Sequence, residues 1–295
     1  MSSTSELQSL HIEAEGILYH VRAIGEGHPV LLLHGFPETG WSYSKNWDAL
    51  AMAGHRVYIP DLKGYGQSDK PSPGTPHGDY RVRQLAAEIA ALIRALGHDR
   101  MDIVGHDWGG IILATMLLEQ RDSIDRAIIL NAPCRRFDPR KPRHVYYYNC
   151  PALPERSFWR NPTTFVREIL DTWSHDSSVF ELDDVREYVR SLQERRGIEC
   201  ALAYYRSLRQ ELTFLLRLQL PGWRPKGTVP KTLIVWGARD PILPLAVGRM
   251  AHKDIDGSQL IVLEEAGHFV HREAAAQVND AMTQFLSRSA GFKGD

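Results

Sequence analysis

The sequence predicts an α/β fold: a mainly parallel, doubly wound sheet with an inserted helical cap. Three observations carry this prediction. Short runs rich in Val, Ile and Leu alternate with longer stretches of helical spacing in the first and last parts of the chain, the pattern of strand–helix–strand units that close a parallel sheet. Between Asn131 and Val229 the alternation stops, strands become scarce, and prolines and aromatic residues gather. Finally, a strand over 101–104 runs through Gly105-His106-Asp107-Trp108-Gly109-Gly110 directly into helical spacing, a sharp strand-to-helix turn made of small residues.

Each element follows from its local pattern. Residues 10–15 and 17–24 alternate on either side of Gly16, which reads as an antiparallel hairpin. Residues 28–33 form a solid apolar run ending in His34-Gly35, as expected of a strand covered on both faces. Helical spacing over 41–53 stops at Gly54, and 56–60 is the next strand. The Pro- and Gly-rich stretch 71–78 is a polar loop, followed over 81–96 by an amphipathic helix that Gly97 closes. Buried strands are predicted at 101–104, 126–130, 231–236 and 259–263, and helices at 109–119, 245–252 and 272–287. Within the proline-rich stretch, 163–173, 183–194 and 198–216 read as helices. The expected organisation is a core domain of residues 1–133 and 229–295 and a helical cap domain of residues 134–228.

Bulk properties narrow the class. At 295 residues, with 43% hydrophobic and 24% charged, the chain is near the upper limit for one core, so one main domain with an insertion fits better than two equal ones. A net charge of −1 gives no general attraction to nucleic acid or to an anionic membrane. No apolar run approaches the roughly 20 residues that span a bilayer, and the polar start Met1-Ser-Ser-Thr-Ser-Glu reads as no secretory signal. Cys134, Cys150 and Cys200 are odd in number and lack metal-ligand spacing, which suits a reducing compartment. A soluble, cytoplasmic enzyme with no cofactor and no metal is the expectation.

The turn at 105–110 has the G-x-nucleophile-x-G form of a nucleophile elbow, with an aspartate where serine is usual. That exchange sets the chemistry. A serine alkoxide attacks acyl carbon, whereas a carboxylate displaces a leaving group at sp³ carbon and is left as an alkyl ester. Asp107 therefore points to carbon–oxygen or carbon–halogen cleavage. An elbow of this kind needs an acid and then a histidine, in that chain order. Asp240 follows the strand at 231–236, and His268 follows the strand at 259–263; both lie at carboxyl ends of strands, where sheets of this type bind ligands. The rivals read differently: His271 opens the last helix, Glu264 and Glu265 are solvated, and His34 and His106 support backbone turns. The backbone N–H groups of Phe36 and Trp108 fall where this fold forms its oxyanion hole.

Taken together, HGFPE at 34–38, GYGQSDKP at 64–71, GHDWGG at 105–110 and the ARD and GHF tracts resemble the α/β-hydrolase-fold epoxide hydrolases, with haloalkane and haloacid dehalogenases of the same superfamily close behind. The resemblance spans the core nearly end to end and is weaker in the cap. It implies a hydrolase acting on ether bonds, with a small apolar epoxide and water as its partners. It also implies two cap residues that hold and protonate the epoxide oxygen, usually tyrosines. Tyr205, in Tyr204-Tyr205-Arg206, matches the second. Counting back from Pro151 puts the first at His144, with Tyr146, Tyr147 and Tyr148 in reserve. A His/Tyr pair also resembles fluoroacetate-type dehalogenases, but those follow the aspartate with arginines where this chain has Trp108 and Ile111, and a buried substrate carboxylate without a cation is costly. Trp108 suits a halide-binding indole, which keeps haloalkane dehalogenase as the alternative. A non-catalytic binding protein of the same fold is the third possibility, and the complete nucleophile–acid–histidine set argues against it.

Overall fold

The computed structural model describes residues 6–134, 143–211 and 229–287. Eight strands form one sheet: β1 (Gln8–Ala14), β2 (Ile17–Ile24), β3 (His28–Leu33), β4 (His55–Pro60), β5 (Met101–His106), β6 (Ile124–Leu130), β7 (Lys231–Gly237) and β8 (Gln259–Leu263). Their spatial order is β1-β2-β4-β3-β5-β6-β7-β8. The β1–β2 and β2–β4 pairs are antiparallel, and every pair from β4–β3 to β7–β8 is parallel. The predicted hairpin at the start of the chain is therefore the antiparallel edge of an otherwise parallel sheet.

Side-chain alternation divides the core into two layers. Along β3, Leu31 and Leu33 face one cluster while Val30 and Leu32 face the other, and along β6 Ala127 and Ile129 oppose Ile128 and Leu130. The first layer packs α2 (Val82–Ala95), α3 (Trp108–Glu119) and α9 (Leu245–Asp254). The second packs α1 (Trp47–Met52) and α11 (Ala275–Ser287). Helix α3 is apolar on nearly every side and buried accordingly.

Between β6 and β7 lie α4 (Arg143–Asn149), α5 (Leu153–Arg160), α6 (Pro162–Trp173), α7 (Leu182–Gln193) and α8 (Gly197–Ser207). Helix α6 begins where expected, with Pro at its first position and the Asn161 side chain accepting the Thr164 N–H at 3.0 Å. Two helices, α4 and α5, are additional to those predicted. Helix α8 stops at Ser207 and gives way to a turn over 208–211, short of the helix expected over 198–216, while residues 212–228 lie outside the described residues. The cap limits near 134 and 228 border on segments outside the described residues. Two predicted helices are broken: 41–53 divides into a 3-10 turn (Gly40–Lys45) and α1, and 272–287 into α10 (Val270–Glu273) and α11. Non-helical backbone at Asn46 and Ala274 makes the breaks. The second break separates α10, which carries His271 and Arg272 into the interior, from the amphipathic α11.

The helices between β6 and β7 pack on the rest of the chain through polar contacts as well as rings. Asp184 of α7 accepts from Arg272 (2.6 Å) and from the Trp41 indole (2.8 Å), and the Ser191 hydroxyl accepts the Gly66 N–H at 2.7 Å. Cys134, Cys150 and Cys200 are free thiols. No helix among the described residues is long and apolar enough to cross a membrane.

Candidate active site

The sequence-predicted residues meet above the carboxyl ends of β3, β5, β7 and β8. Asp107 stands between β5 and α3 with φ +47° and ψ −116°, a strained conformation for any residue but glycine. The turn is possible only because of its small neighbours: a Cβ on Gly109 would lie 2.2 Å from the Leu33 carbonyl oxygen. Gly35 meets the same constraint from the other side, since a Cβ there would lie 2.6 Å from Asp107 Oδ1. This close approach lets the Phe36 N–H donate to Asp107 Oδ1 at 2.9 Å. Trp108 follows at the first position of α3, where a helix N–H has no partner within the helix.

Asp107 Oδ2 faces His268 Nε2 at 3.5 Å, and His268 Nδ1–H donates to Asp240 Oδ2 at 2.8 Å. Asp240 is fully committed. Its Oδ1 accepts the N–H groups of Ile242 (2.7 Å) and Leu243 (2.8 Å), and its Oδ2 also accepts from the Asn131 side-chain amide at 2.7 Å. Four donors saturate a carboxylate, so its orientation toward His268 is fixed. Asn131 is a member of this arrangement that the sequence reading did not name. It follows β6 directly with φ +40°, and its Oδ1 accepts the Gly237 N–H at 2.9 Å. An asparagine at a strand end is a usable signal, because asparagine tolerates the left-handed region.

Electrostatics bind the two acids to the histidine. Burial disfavours the His268 imidazolium, but the Asp240 charge and the hydrogen bonds to Asp107 and Asp240 outweigh it and push the pKa up to about 10. Burial opposes ionisation of Asp107 too, yet the His268 hydrogen bond and charge hold the carboxyl below the usual range. The protein alone thus carries an Asp107 carboxylate facing a His268 imidazolium.

Behind His268 lies a second buried group. His106 Nε2–H donates to the His268 carbonyl at 2.9 Å, and His106 Nδ1 lies 2.8 Å from Glu38 Oε2. His271 Nε2 lies 3.2 Å from the other Glu38 oxygen. Burial pushes His271 down to about 4, against the pull of Glu38. Instead of serving Asp107, His271 packs on Tyr43 and His106. His34 behaves as expected: its Nδ1–H donates to the Gly35 carbonyl at 2.8 Å, and its Nε2 accepts the Leu62 N–H at 2.9 Å. Glu264 and Glu265 are exposed.

The helices between β6 and β7 supply an aromatic roof. Tyr205 is buried against Phe36, Trp108 and Tyr148, with ring centroids 5.5, 5.1 and 4.8 Å away. Its hydroxyl is buried with no hydrogen-bond partner within reach among the described residues. Burial, and then the Asp107 charge, push its pKa well above 10, so it remains a phenol. His144 packs on Trp173 (4.9 Å) and meets the Tyr205 ring edge at 5.9 Å. Burial pushes His144 down to about 4 although the Asp107 charge pulls the other way, leaving a neutral ring at pH 7. Tyr148, one turn further along α4, is buried in the same cluster against Phe36 at 5.1 Å. Of the other reserves, Tyr147 packs on Tyr148, while Tyr146 is 57% exposed and points away. Trp173 closes the side, 5.4 Å from His268 and 6.0 Å from Phe36.

Comparison with known proteins identifies the family. A family model described as "Alpha/beta hydrolase family" matches residues 30–281. Epoxide hydrolase 3 of Siraitia grosvenorii is 34% identical over 332 residues, covering 96% of this chain and 99% of that protein. The soluble epoxide hydrolase of Corynebacterium sp. (strain C12) is 26% identical, covering 92% and 94% of the two chains. In three dimensions, an epoxide hydrolase from an endophytic Streptomyces superposes with a TM-score of 0.82 at 24% identity, covering 97% of this chain and 96% of that one, a likeness of fold. With the family model covering most of its length and a relative matched nearly end to end, this chain is an enzyme of the alpha/beta hydrolase family whose sequence groups with the epoxide hydrolases.

Proposed function

We propose that the protein is an epoxide hydrolase that opens an apolar epoxide to a vicinal diol through an alkyl ester on Asp107. One observation carries the reading: the elbow holds a carboxylate whose Oδ1 takes the Phe36 N–H at 2.9 Å while its Oδ2 faces His268 at 3.5 Å. That carboxylate has one oxygen placed to become a stabilised carbonyl oxygen and one free to attack. Its relatives named as epoxide hydrolases support the substrate class.

In the first half-reaction Asp107 Oδ2 attacks an epoxide carbon. The carbon–oxygen bond of the ring breaks, and the leaving oxygen takes a proton from Tyr205, with His144 or Tyr148 as the second cap donor. Tyr205 suits this task because its buried hydroxyl has no hydrogen-bond partner among the described residues and remains protonated. In the second half-reaction His268, oriented by Asp240, removes a proton from water, which adds to the ester carbonyl. Negative charge then develops on Oδ1 against the N–H groups of Phe36 and Trp108. Collapse, with the His268 imidazolium returning its proton to the departing oxygen, releases the diol with Asp107 Oδ2 in it and leaves the water oxygen on the enzyme, and the remaining water proton restores Tyr205.

The test is a single turnover in ¹⁸O-water with a styrene-oxide-like epoxide, beside a bromoalkane and fluoroacetate. Label is expected in the Asp107 carboxylate, with unlabelled first-turnover diol. His268→Gln is expected to accumulate an alkyl-enzyme visible by intact mass, and Asp107→Ala to abolish turnover with the fold retained. Label passing directly from water into the first diol would overturn the covalent route. Turnover of the bromoalkane but not the epoxide would overturn the substrate class.

A further inference from the structure

One carboxylate and one backbone hydrogen bond tie the loop that carries His268 to the end of α6. Gly267 N–H donates to Glu273 Oε2 at 2.9 Å and Phe269 N–H to Glu273 Oε1 at 3.1 Å. Between them, His268 N–H donates to the carbonyl of Trp173, the last residue of α6, at 3.1 Å. The same Glu273 Oε2 also accepts the N–H groups of His175 (2.8 Å) and Asp176 (3.0 Å), which follow that helix. The Ser174 N–H turns back to Leu170 O at 3.2 Å to finish α6, so the next two N–H groups project beyond the helix toward the core. The segments approach closely enough that a Cβ on Gly267 would lie 2.4 Å from the His175 nitrogen and 2.9 Å from Glu273 Oε1.

Hydrogen bonds to a carboxylate are stronger than those between neutral groups, and these four come from two pieces of chain far apart in sequence. We infer that Glu273 is a positioning residue that sets the His268 loop and the end of cap helix α6 in one register. The inference rests on the reading of His268 as the base. Trp173 makes the register matter twice: its carbonyl holds the His268 N–H, and its ring walls the site against His144 and His268. Water must fit between His268 Nε2 and the Asp107 ester, so a small drift of the loop costs rate steeply. The attack by Asp107 depends on the elbow and on the Phe36 N–H, neither of which touches Glu273. Loosening the tie therefore slows hydrolysis of the ester more than its formation.

The experiment compares the full-length protein with Glu273→Ala and Glu273→Gln in single turnover of a styrene-oxide-like epoxide, together with hydrogen exchange resolved to individual amides. Glu273→Ala is expected to slow ester hydrolysis about 10- to 100-fold, leave alkylation unchanged, accumulate alkyl-enzyme, and speed exchange at 175, 176, 267 and 269. Glu273→Gln retains one acceptor oxygen and is expected to recover most of the hydrolysis rate and the protection. Equal losses in both half-reactions, matching a loss of folded protein, would overturn the inference. So would unchanged exchange at 175 and 176. Should no alkyl-enzyme form even in His268→Gln, the reading of the base fails, while the exchange data still decide whether Glu273 joins loop to cap.

Discussion

Asp107 and His268 stabilise each other's charge, and the proposed chemistry has to undo that. In the resting protein the His268 pKa is pushed up to about 10, with Asp240 and Asp107 overcoming burial. Forming the ester removes the Asp107 charge and with it part of that support, so the His268 pKa falls once the alkyl-enzyme exists. Only then does a neutral imidazole become accessible near neutral pH. The half-reactions should therefore respond to pH in different ways. Alkylation needs ionised Asp107, whose pKa lies below the usual carboxylate range, so its rate should stay level from neutral pH downward until that low value is passed. Ester hydrolysis needs neutral His268, so its rate should rise with pH through a pKa below about 10. Stopped-flow tryptophan fluorescence on the two phases measures both profiles. A hydrolysis rate that does not fall on acidification anywhere below about pH 10 would remove His268 as the base.

Helix α4 raises a different question, because it offers two candidate donors rather than one. His144 and Tyr148 are four residues apart and so share a face, and both rings reach the cluster around Tyr205. Counting from a proline could not separate positions one turn apart. The helix itself was not predicted, because Tyr146-Tyr147-Tyr148 is a run with strand preference that only tertiary packing makes helical. By contrast, Asp107, Asp240 and His268 were legible because each ends a strand with its own local signal. Glu273 was not, because two of its partners, His175 and Asp176, lie 98 and 97 residues away, and Asn131 offered only the signal of an asparagine at a strand end. Phenylalanine variants divide the roles on α4. Tyr205→Phe should slow alkylation about 100-fold, as for loss of a general acid, and spare hydrolysis of a preformed ester. Of His144→Phe and Tyr148→Phe, the one that removes the second donor should slow alkylation as well, and exposed Tyr146→Phe should change nothing. If neither α4 variant slows alkylation, Tyr205 acts without a partner from this helix.

At the scale of the whole molecule, the buried ionisable groups that build the site also set its stability against pH. The sign differs from group to group. His144 and His271 are held down to about 4, chiefly by burial, so below about 6.5 the unfolded chain binds protons that the folded one refuses. Their effect is a loss of stability as pH falls from about 6.5 toward 4. Burial works against the Glu38 carboxylate, but the His271 and His106 rings outweigh it and hold it well below the ordinary range, and Asp107 is lowered too. These carboxylates contribute stability above about pH 4 that is lost on further acidification. His268 acts in the opposite direction. With its folded pKa near 10, it contributes fully below about 6.5, and that contribution disappears as pH rises toward 10. Thermal unfolding across pH should therefore give a Tm maximum at about pH 6 to 7 with a decline on both sides. The acid side has an identifiable origin, since His271 is fully buried in contact with Glu38. His271→Gln takes away the ring that must be protonated on unfolding, so the slope of Tm between about pH 6.5 and 4 should become shallower even if the variant is less stable at every pH. His268→Gln should flatten the alkaline side and leave the acid side as it was. An acid slope unchanged in His271→Gln would mean that His271 is not held neutral in the folded protein.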